Sequence, residues 1–392
     1  MTTGPLRGSA DTMKITRIET LPIPMGYRDF IACRVFTDEG LTGIGEPYPV
    51  GPNDAVAAVI ADFATWLVGR DPRDITGIWQ HLYAHTRFPG GSVVNAAISG
   101  IEHALWDISG KAAGVPVYRL LGGKCRDRIR VYQGIGGATP EACAEDALRA
   151  IARHGYTAIK MSPLPPASEG LPWNAVIRGA VARMAAVRDA VGPDVEIGLD
   201  PHARIFEPVR AHQLAEALAP LNPFFLEEPL RPENIDALAE FRAHSPVPVA
   251  TGEMLYTAFG FRELLEKRGA DIIQPDVCIC GGLLEMKKIA ALAEAHYVTV
   301  APHNPTGPIA TAVNAHFAMT THNFLILEYV PDDDGPRANV LTRPVEIRDG
   351  YLHLTDAPGL GIELNEDALP HRPVRNWRRT PAWRPDGAAD FI

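Results

Sequence analysis

The chain has 392 residues, 46% of them hydrophobic and 21% charged, enough apolar material for a barrel-sized domain with a smaller companion. Its formal charge of −10 argues against nucleic acid and anionic membrane surfaces as partners, but a bound divalent ion can invert the local field for a small anion. No apolar run approaches the roughly 20 residues that span a bilayer, and five scattered cysteines suit a reduced, cytoplasmic protein.

Residues 1–12 are polar and lack an apolar signal core, so a disordered arm is expected there. Residues 14–20 and 30–37 alternate apolar and polar, and Asp38-Glu39-Gly40 marks a hairpin turn. Between the two runs, residues 22–29 read as a mobile loop carrying Tyr27 and Arg28. Residues 55–67, 75–85 and 92–113 carry helical periodicity, closed by Gly114-Val115-Pro116 and Leu121-Gly122-Gly123. Residues 13–127 are therefore expected to form a small α+β capping domain.

From Arg128 onward, eight short apolar runs (131–134, 158–161, 195–199, 224–226, 249–251, 272–274, 298–301 and 325–327) alternate with helical patterns such as 139–154, 176–191, 208–218 and 283–296. Repeated strand–helix units predict a parallel sheet, and eight of them predict a closed barrel. An open doubly wound sheet is the alternative, but no Gly-x-Gly-x-x-Gly follows a first strand. The expected fold is α/β: a modified TIM barrel, (β/α)7β, over 128–345, with the N-terminal α+β capping domain and a segment, 346–392, returning to that domain. Cys278-x-Cys280 has no second pair at a zinc spacing and reads as packing at a strand end.

Working residues in such barrels stand where strands finish. The third, fourth and fifth runs lead to Asp200, Glu227 and Glu253, spaced 27 and 26 residues apart, close to one strand–helix repeat. Adjacent strands lie about 4.8 Å apart, so these carboxylates are expected to converge. A hard divalent cation with oxygen ligands, Mg²⁺ by its retention of open positions, resolves their repulsion; separate pairing with basic neighbours is the blander account. The sixth and seventh runs lead to Asp276 and His303, a carboxylate that can orient an imidazole as a general base.

His202 follows Asp200 by two positions, so in extended chain both side chains point the same way. It reads as a general acid or as a second hydrogen-bond donor near the metal. Arg204 continues that alternation and serves either a distal substrate group or a salt bridge. Glu328 ends the eighth run and can bond the substrate carboxylate or orient a neighbour. On the second run Lys160 stabilises negative charge or pairs with an acid, and Ser162 follows it toward the rim. Tyr27, Arg28, Tyr48, Arg87 and Phe88 are the candidate substrate contacts from the capping domain.

These residues resemble the enolase superfamily, in its mandelate racemase group, and among its members the D-galactonate dehydratase-like enzymes. The resemblance is carried by 37–46 with its Gly43-Ile44-Gly45-Glu46 end, by Ala104-Leu105-Trp106-Asp107 and by Leu226-Glu227-Glu228-Pro229-Leu230. It continues through Ala250-Thr251-Gly252-Glu253, Gln274-Pro275-Asp276 and 301–310 with His303-Asn304-Pro305. It implies one Mg²⁺ per active site on Asp200, Glu227 and Glu253, a base dyad of His303 and Asp276, His202 as the acid for a leaving hydroxyl, and Glu328 as the eighth-strand acid. Lys160-Met161-Ser162 stands where racemases of the group carry Lys-x-Lys, which weighs toward elimination. Met254 and Pro201-His202-Ala203 depart from the galactonate pattern and leave the particular sugar acid open.

The implied activity is dehydration of an aldonate or aldarate to a 2-keto-3-deoxy acid. Competing readings are a racemase, epimerase or cycloisomerase of the same group, and a non-catalytic metal-binding barrel. The expected partner is a sugar acid, with no nucleic acid or membrane, and the expected assembly is a homo-oligomer by analogy of fold.

Overall fold

The computed structural model describes residues 12–25, 29–84, 87–370, 372–376, 383 and 386–388. The chain opens with an antiparallel sheet, ordered β1 (Ile15–Pro24), β2 (Asp29–Thr37) and β3 (Thr42–Gly45). The strands run further than their alternation suggests: residues 22–24, expected in a loop, pair with Ile31, Phe30 and Asp29. Proline has no N–H to offer a ladder, and Pro22 and Pro24 are accommodated because β1 is an edge strand. Tyr27 and Arg28 lie outside the described residues.

Helices α1 (Asn53–Leu67) and α3 (Ser92–Ala113) cover this sheet, and α2 (Ile75–Ala84) and the short α4 (Val117–Leu120) pack against α3. The long α3 presses directly on β3. A Cβ added at Gly43 would stand 2.0 Å from the Ala104 carbonyl oxygen, and one at Gly45 would stand 2.0 Å from that of Gly100. Only glycine permits so close an approach.

The barrel strands are β4 (Ile129–Ile135), β5 (Ala158–Met161), β6 (Glu196–Leu199), β7 (Phe225–Glu227), β8 (Val249–Thr251), β9 (Ile272–Ile273), β10 (Thr299–Val300) and β11 (Leu327–Tyr329). Helices α5 (Pro140–His154), α6 (Trp173–Val191), α7 (Pro208–Leu218), α8 (Ile235–His244), α9 (Thr257–Glu266), α10 (Leu283–Ala295) and α11 (Pro308–Met319) connect them in turn. β4 to β10 pair in parallel sequence, and β11 pairs in parallel with β4, setting Glu328 beside Tyr132. Backbone bonds from Val300 N–H to Asn323 O (2.9 Å) and from Leu325 N–H to Val300 O (2.8 Å) complete the ring. Among the described residues, eight parallel strands and seven connecting helices make the (β/α)7β barrel.

Tyr132, Ala158, Phe225, Ala250, Ile272, Ala301 and Ile326, each on or next to a different strand, form an apolar cluster filling the barrel interior. A larger cluster seals strands to helices, with Val131, Ile159, Ile197, Leu226 and Val249 facing Leu214, Leu238, Leu264 and Ile289. No helix among the described residues is long and apolar enough to cross a membrane.

The capping domain grips the barrel with two buried carboxylates. Glu46, at the end of β3, accepts bonds from Gly307 N–H and Ala310 N–H at the start of α11. Glu102, on α3, accepts from Leu283 N–H and Leu284 N–H at the start of α10, each at 2.8 Å. A helix start has free N–H groups and positive potential, so a carboxylate there satisfies both. Burial pushes each carboxyl up to about 7 in spite of these bonds.

After the barrel, β12 (Glu346–Arg348) and β13 (Tyr351–His353) form a hairpin whose second strand pairs antiparallel with the start of β4. The chain then returns: Val117 N–H bonds Gly359 O, Leu360 N–H bonds Asp107, and Arg372 and Arg375 both hold the buried Asp29. Burial alone would raise the Asp29 carboxyl, but the hydrogen bonds from Arg372 and Arg375 outweigh it and hold the group well below the usual carboxylate range. A depressed carboxyl contributes stability above its unfolded value of 3.8 and loses it as pH falls through the folded value. Asp29→Asn should therefore cost about 1–3 kcal/mol at pH 7, and the difference from the parent should shrink below pH 3.8. Urea denaturation at pH 7 and pH 3 checks this; an equal deficit at both would contradict it.

Candidate active site

The acids foreseen at the strand ends do gather at one rim, yet Lys160 bridges them. From β5, its ammonium lies 2.8 Å from Glu227 Oε1, 2.8 Å from Glu328 Oε1 and 3.2 Å from Asp200 Oδ2. Register explains the meeting: Lys160 pairs with Gly198 on β6 and Gly134 on β4, while Glu227 and Glu328 sit on strands two places away on one side and on the other. Burial disfavours the ammonium, but the attraction of Glu227 and Glu328 wins and holds it well above its ordinary value. Glu328 responds in the opposite direction, its carboxyl brought down to about 2 against burial by Lys160 and by His303.

Glu227 behaves differently. Burial first, and then repulsion from Asp200, Glu328 and Glu253, lift it well above the carboxylate range although Lys160 opposes. Gln274 donates to its second oxygen at 2.8 Å. Its neighbour Glu228 accepts from Thr251 Oγ1 and Gly252 N–H, both at 2.8 Å, and is pushed up to about 8 by burial and by Glu253. The other Glu228 oxygen is buried without a hydrogen-bond partner among the described residues.

Asp200, Glu227 and Glu253 fit a divalent cation by the chemistry of their donors: hard oxygens, sheltered from water, repelling one another. As placed, however, no three such side chains among the described residues stand close enough to chelate an ion. The convergence expected from the strand spacing is therefore incomplete. The reason is Lys160, which draws Asp200 and Glu227 to itself while Glu253 turns toward His303.

His303 is buried, with Nδ1 2.8 Å from Asp276 Oδ2 and Nε2 3.4 Å from Glu253 Oε2. Asp276 is itself fixed by Cys278 N–H at 2.7 Å. Burial opposes a charged ring, yet Glu253 and Asp276 on either side raise the imidazole to about 10. The Nδ1–H donates to Asp276, so Nε2 is the atom left to exchange a proton. Tyr48 reaches this ring from the capping domain, the two centroids 6.1 Å apart.

His202 arrives by a different backbone path from the extended one expected. Its φ is +56° and that of Ala203 is +54°, both left-handed, and its N–H donates to Asp200 Oδ1 at 2.7 Å. The alternation argument fails here because a short turn replaces the strand. The imidazole still lies 3.3 Å from Asp200 Oδ2, about half exposed. Non-glycine residues in this region cost about 1–3 kcal/mol each and concentrate at working sites. Arg204, displaced by the same turn, is ion-paired with Glu169, which favours the salt-bridge role over a free hand for substrate.

Arg87 is exposed and lies over Phe88, 5.9 Å from its ring centroid, and meets no carboxylate among the described residues. Ser162 is half-buried after β5. Three polar residues of the site, Glu228, Gln274 and Asn304, stand within the sequence motifs but were assigned no role from them. Asn304 donates its N–H to Glu328 Oε2 at 2.8 Å and its side-chain amide to Glu328 O and Thr311, linking the β10 and β11 ends. The adjacency of Glu228 to Glu227 and of Asn304 to His303 was the available signal.

Removing Lys160 would strand buried charge. Glu328 is depressed, so its pairing contributes stability above an unfolded value of 4.5 that is lost as pH falls toward 2. In buffer with a chelator, Lys160→Met should destabilise by about 3–5 kcal/mol at pH 7, with the deficit shrinking below pH 4.5. Urea melts across that range test it, and a variant as stable as the parent at pH 7 would contradict the assignment.

Residues 13–122 match the mandelate racemase / muconate lactonizing enzyme N-terminal domain, and 142–368 match the enolase C-terminal domain-like family. A D-galactonate dehydratase of Variovorax paradoxus is 38% identical over 95% of this chain and 98% of its own length, and one of Ralstonia pickettii is 37% identical over the same shares. Among solved structures, an enolase of Agrobacterium radiobacter, assigned provisionally as a galactarate dehydratase and bound to sodium and L-malate, is 42% identical. It superposes with a TM-score of 0.92 over 97% of this chain and 100% of its own. With both halves matched and full-length relatives well above 30% identity, the chain belongs to the mandelate racemase / muconate lactonizing enzyme family of the enolase superfamily.

Proposed function

We propose that this protein is a hydro-lyase that dehydrates a sugar acid to a 2-keto-3-deoxy acid. Its curated relatives are named D-galactonate dehydratases, and the Agrobacterium neighbour, with an ordered active site, is bound to sodium and a diacid, L-malate. The observation that carries the reading is a pair of imidazoles of opposite character at one carboxylate rim: His303, buried and backed by Asp276, and His202, half exposed beside Asp200.

A proton next to a carboxylate is weakly acidic because its loss leaves a dianion. A cation held by Asp200, Glu227 and Glu253, taken as Mg²⁺, would supply Lewis-acid stabilisation of that charge. Lys160, the buried ammonium among these acids, adds a positive charge beside the substrate carboxylate. His303 receives the C2 proton at Nε2, while Asp276 fixes the tautomer. His202 gives its proton to the C3 hydroxyl as that group leaves, and the enol becomes the keto acid. Glu328, ionised by Lys160 and tied to Asn304, holds the base loop in position. The proposed limits are 13–127 for the capping domain and 128–345 for the barrel, and the proposed assembly is a cytoplasmic homo-oligomer by likeness of fold.

An epimerase would need a second base on the opposite substrate face. Met161 is buried and Ser162 carries no base at any ordinary pH, so β5 offers Lys160 alone. Elimination is therefore the favoured outcome.

A panel of aldonates and aldarates in D₂O should yield keto acid with the parent. His303→Asn should abolish both exchange at C2 and dehydration. His202→Asn should retain exchange while losing elimination by about 10²-fold or more; full dehydration by that variant would refute its role as acid. The ion can be tested separately. Mg²⁺ at about 100 times its Kd should stabilise the parent by about 2.7 kcal/mol, and Asp200→Asn should lose most of that gain. Equal Mg²⁺ stabilisation of both proteins would remove Asp200 from the ligand set.

A further inference from the structure

The end of the barrel opposite the carboxylate rim carries an unexplained concentration of positive charge. The segments entering β4 and β11, with β13, frame a cavity of about 350 Å³ whose walls include Arg126, Asp127, Arg128, Arg130, Phe324 and Tyr351. Three arginines within five residues face one aspartate in a chain of net charge −10. Their environments differ in a way that points to a missing counter-charge.

Arg130 is already committed, 2.7 Å from Glu196 and bonded through Nε to Thr157 Oγ1. Arg126 donates one nitrogen to His322 O at 3.3 Å and rests on Phe324, 4.9 Å from the ring centroid. Its other terminal nitrogen, Nη1, is buried and has no hydrogen-bond partner among the described residues. Arg128 lies 3.9 Å above the centre of Tyr351, and no carboxylate forms an ion pair with it among the described residues. Each aromatic face thus holds a guanidinium fork in place without neutralising it.

A buried donor left without an acceptor carries a cost, larger for a charged group. The Arg128 fork together with the remaining Arg126 donor matches a dianion with several terminal oxygens better than a carboxylate, whose two oxygens satisfy one fork. The volume lies near the lower limit of small-molecule pockets, about 300 Å³, and so accommodates a small ester as well as the bare ion. We propose that this cavity is an anion site for a phosphoryl group, supplied as inorganic phosphate or as a small phosphate monoester, and separate from the reaction site.

Calorimetric titration of the full-length protein at constant ionic strength, with inorganic phosphate and with glycerol 1-phosphate, tests the proposal. Saturable binding of one equivalent is expected. Tighter binding of glycerol 1-phosphate assigns the ester, and equal or tighter binding of phosphate assigns the free ion. The double variant Arg126→Gln/Arg128→Gln should bind at least about tenfold more weakly, with an unchanged circular dichroism spectrum. Should that variant fold poorly, Arg128→Gln alone alters an exposed side chain and should still weaken binding several-fold. His303→Asn should bind as the parent does. Absence of saturable heat, undiminished affinity in Arg128→Gln, or loss of binding in His303→Asn would each overturn the proposal, the last by moving the anion to the carboxylate rim.

Discussion

The structure turns on an excess of sheltered negative charge at the C-terminal rim of the barrel. Asp200, Glu227, Glu228, Asp276 and Glu328 are buried there, and Glu253 is half-buried among them. Against these stand one ammonium, Lys160, and one buried imidazole, His303. Carboxylates brought out of water repel strongly unless something positive joins them. In the chain by itself the balance is struck by Lys160 bonding three acids, while burial and mutual repulsion push the Glu227 and Glu228 carboxyls up and Glu253 and Asp276 raise the His303 ring. An added divalent charge would weaken the hold of these acids on Lys160 and on the His303 ring. The same electrostatic balance thereby links the proposed ion site, the proposed base His303 and Lys160.

That rim is held from outside the barrel. Glu46 reaches across 261 residues of sequence to the first turn of α11, a few residues beyond His303, and Asn304 ties the same loop to Glu328. Tyr48, two residues after Glu46, meets the His303 ring. His103 adds a further bond between the domains, contacting Val277 O at 3.1 Å beside Asp276. The capping domain is therefore part of what positions His303, in addition to being the expected source of substrate contacts.

Much of this was readable before the fold was known, because the barrel repeats. One strand–helix unit takes about the same length of chain each time, so acids 27 and 26 residues apart arrive at one rim, and Asp276 and His303 do likewise. What escaped depends on geometry that periodicity does not carry. The left-handed turn at His202 and Ala203 broke the alternation used to place His202 and Arg204, and Arg204 found Glu169 on a distant loop. Lys160 was foreseen as a charge partner, but its three simultaneous contacts depend on strands closing into a ring. Glu46 and Glu102 gave no local signal of their role, since the helix starts they cap lie some 180 to 260 residues away.

Crystals soaked in Mn²⁺ and measured at the metal's absorption edge address the central claim most directly. The account predicts one strong anomalous peak coordinated by Asp200, Glu227 and Glu253, with Lys160 turned away from Asp200 and Glu227. A rim without a peak, its acids still gathered on Lys160, or an ion bound elsewhere would contradict it.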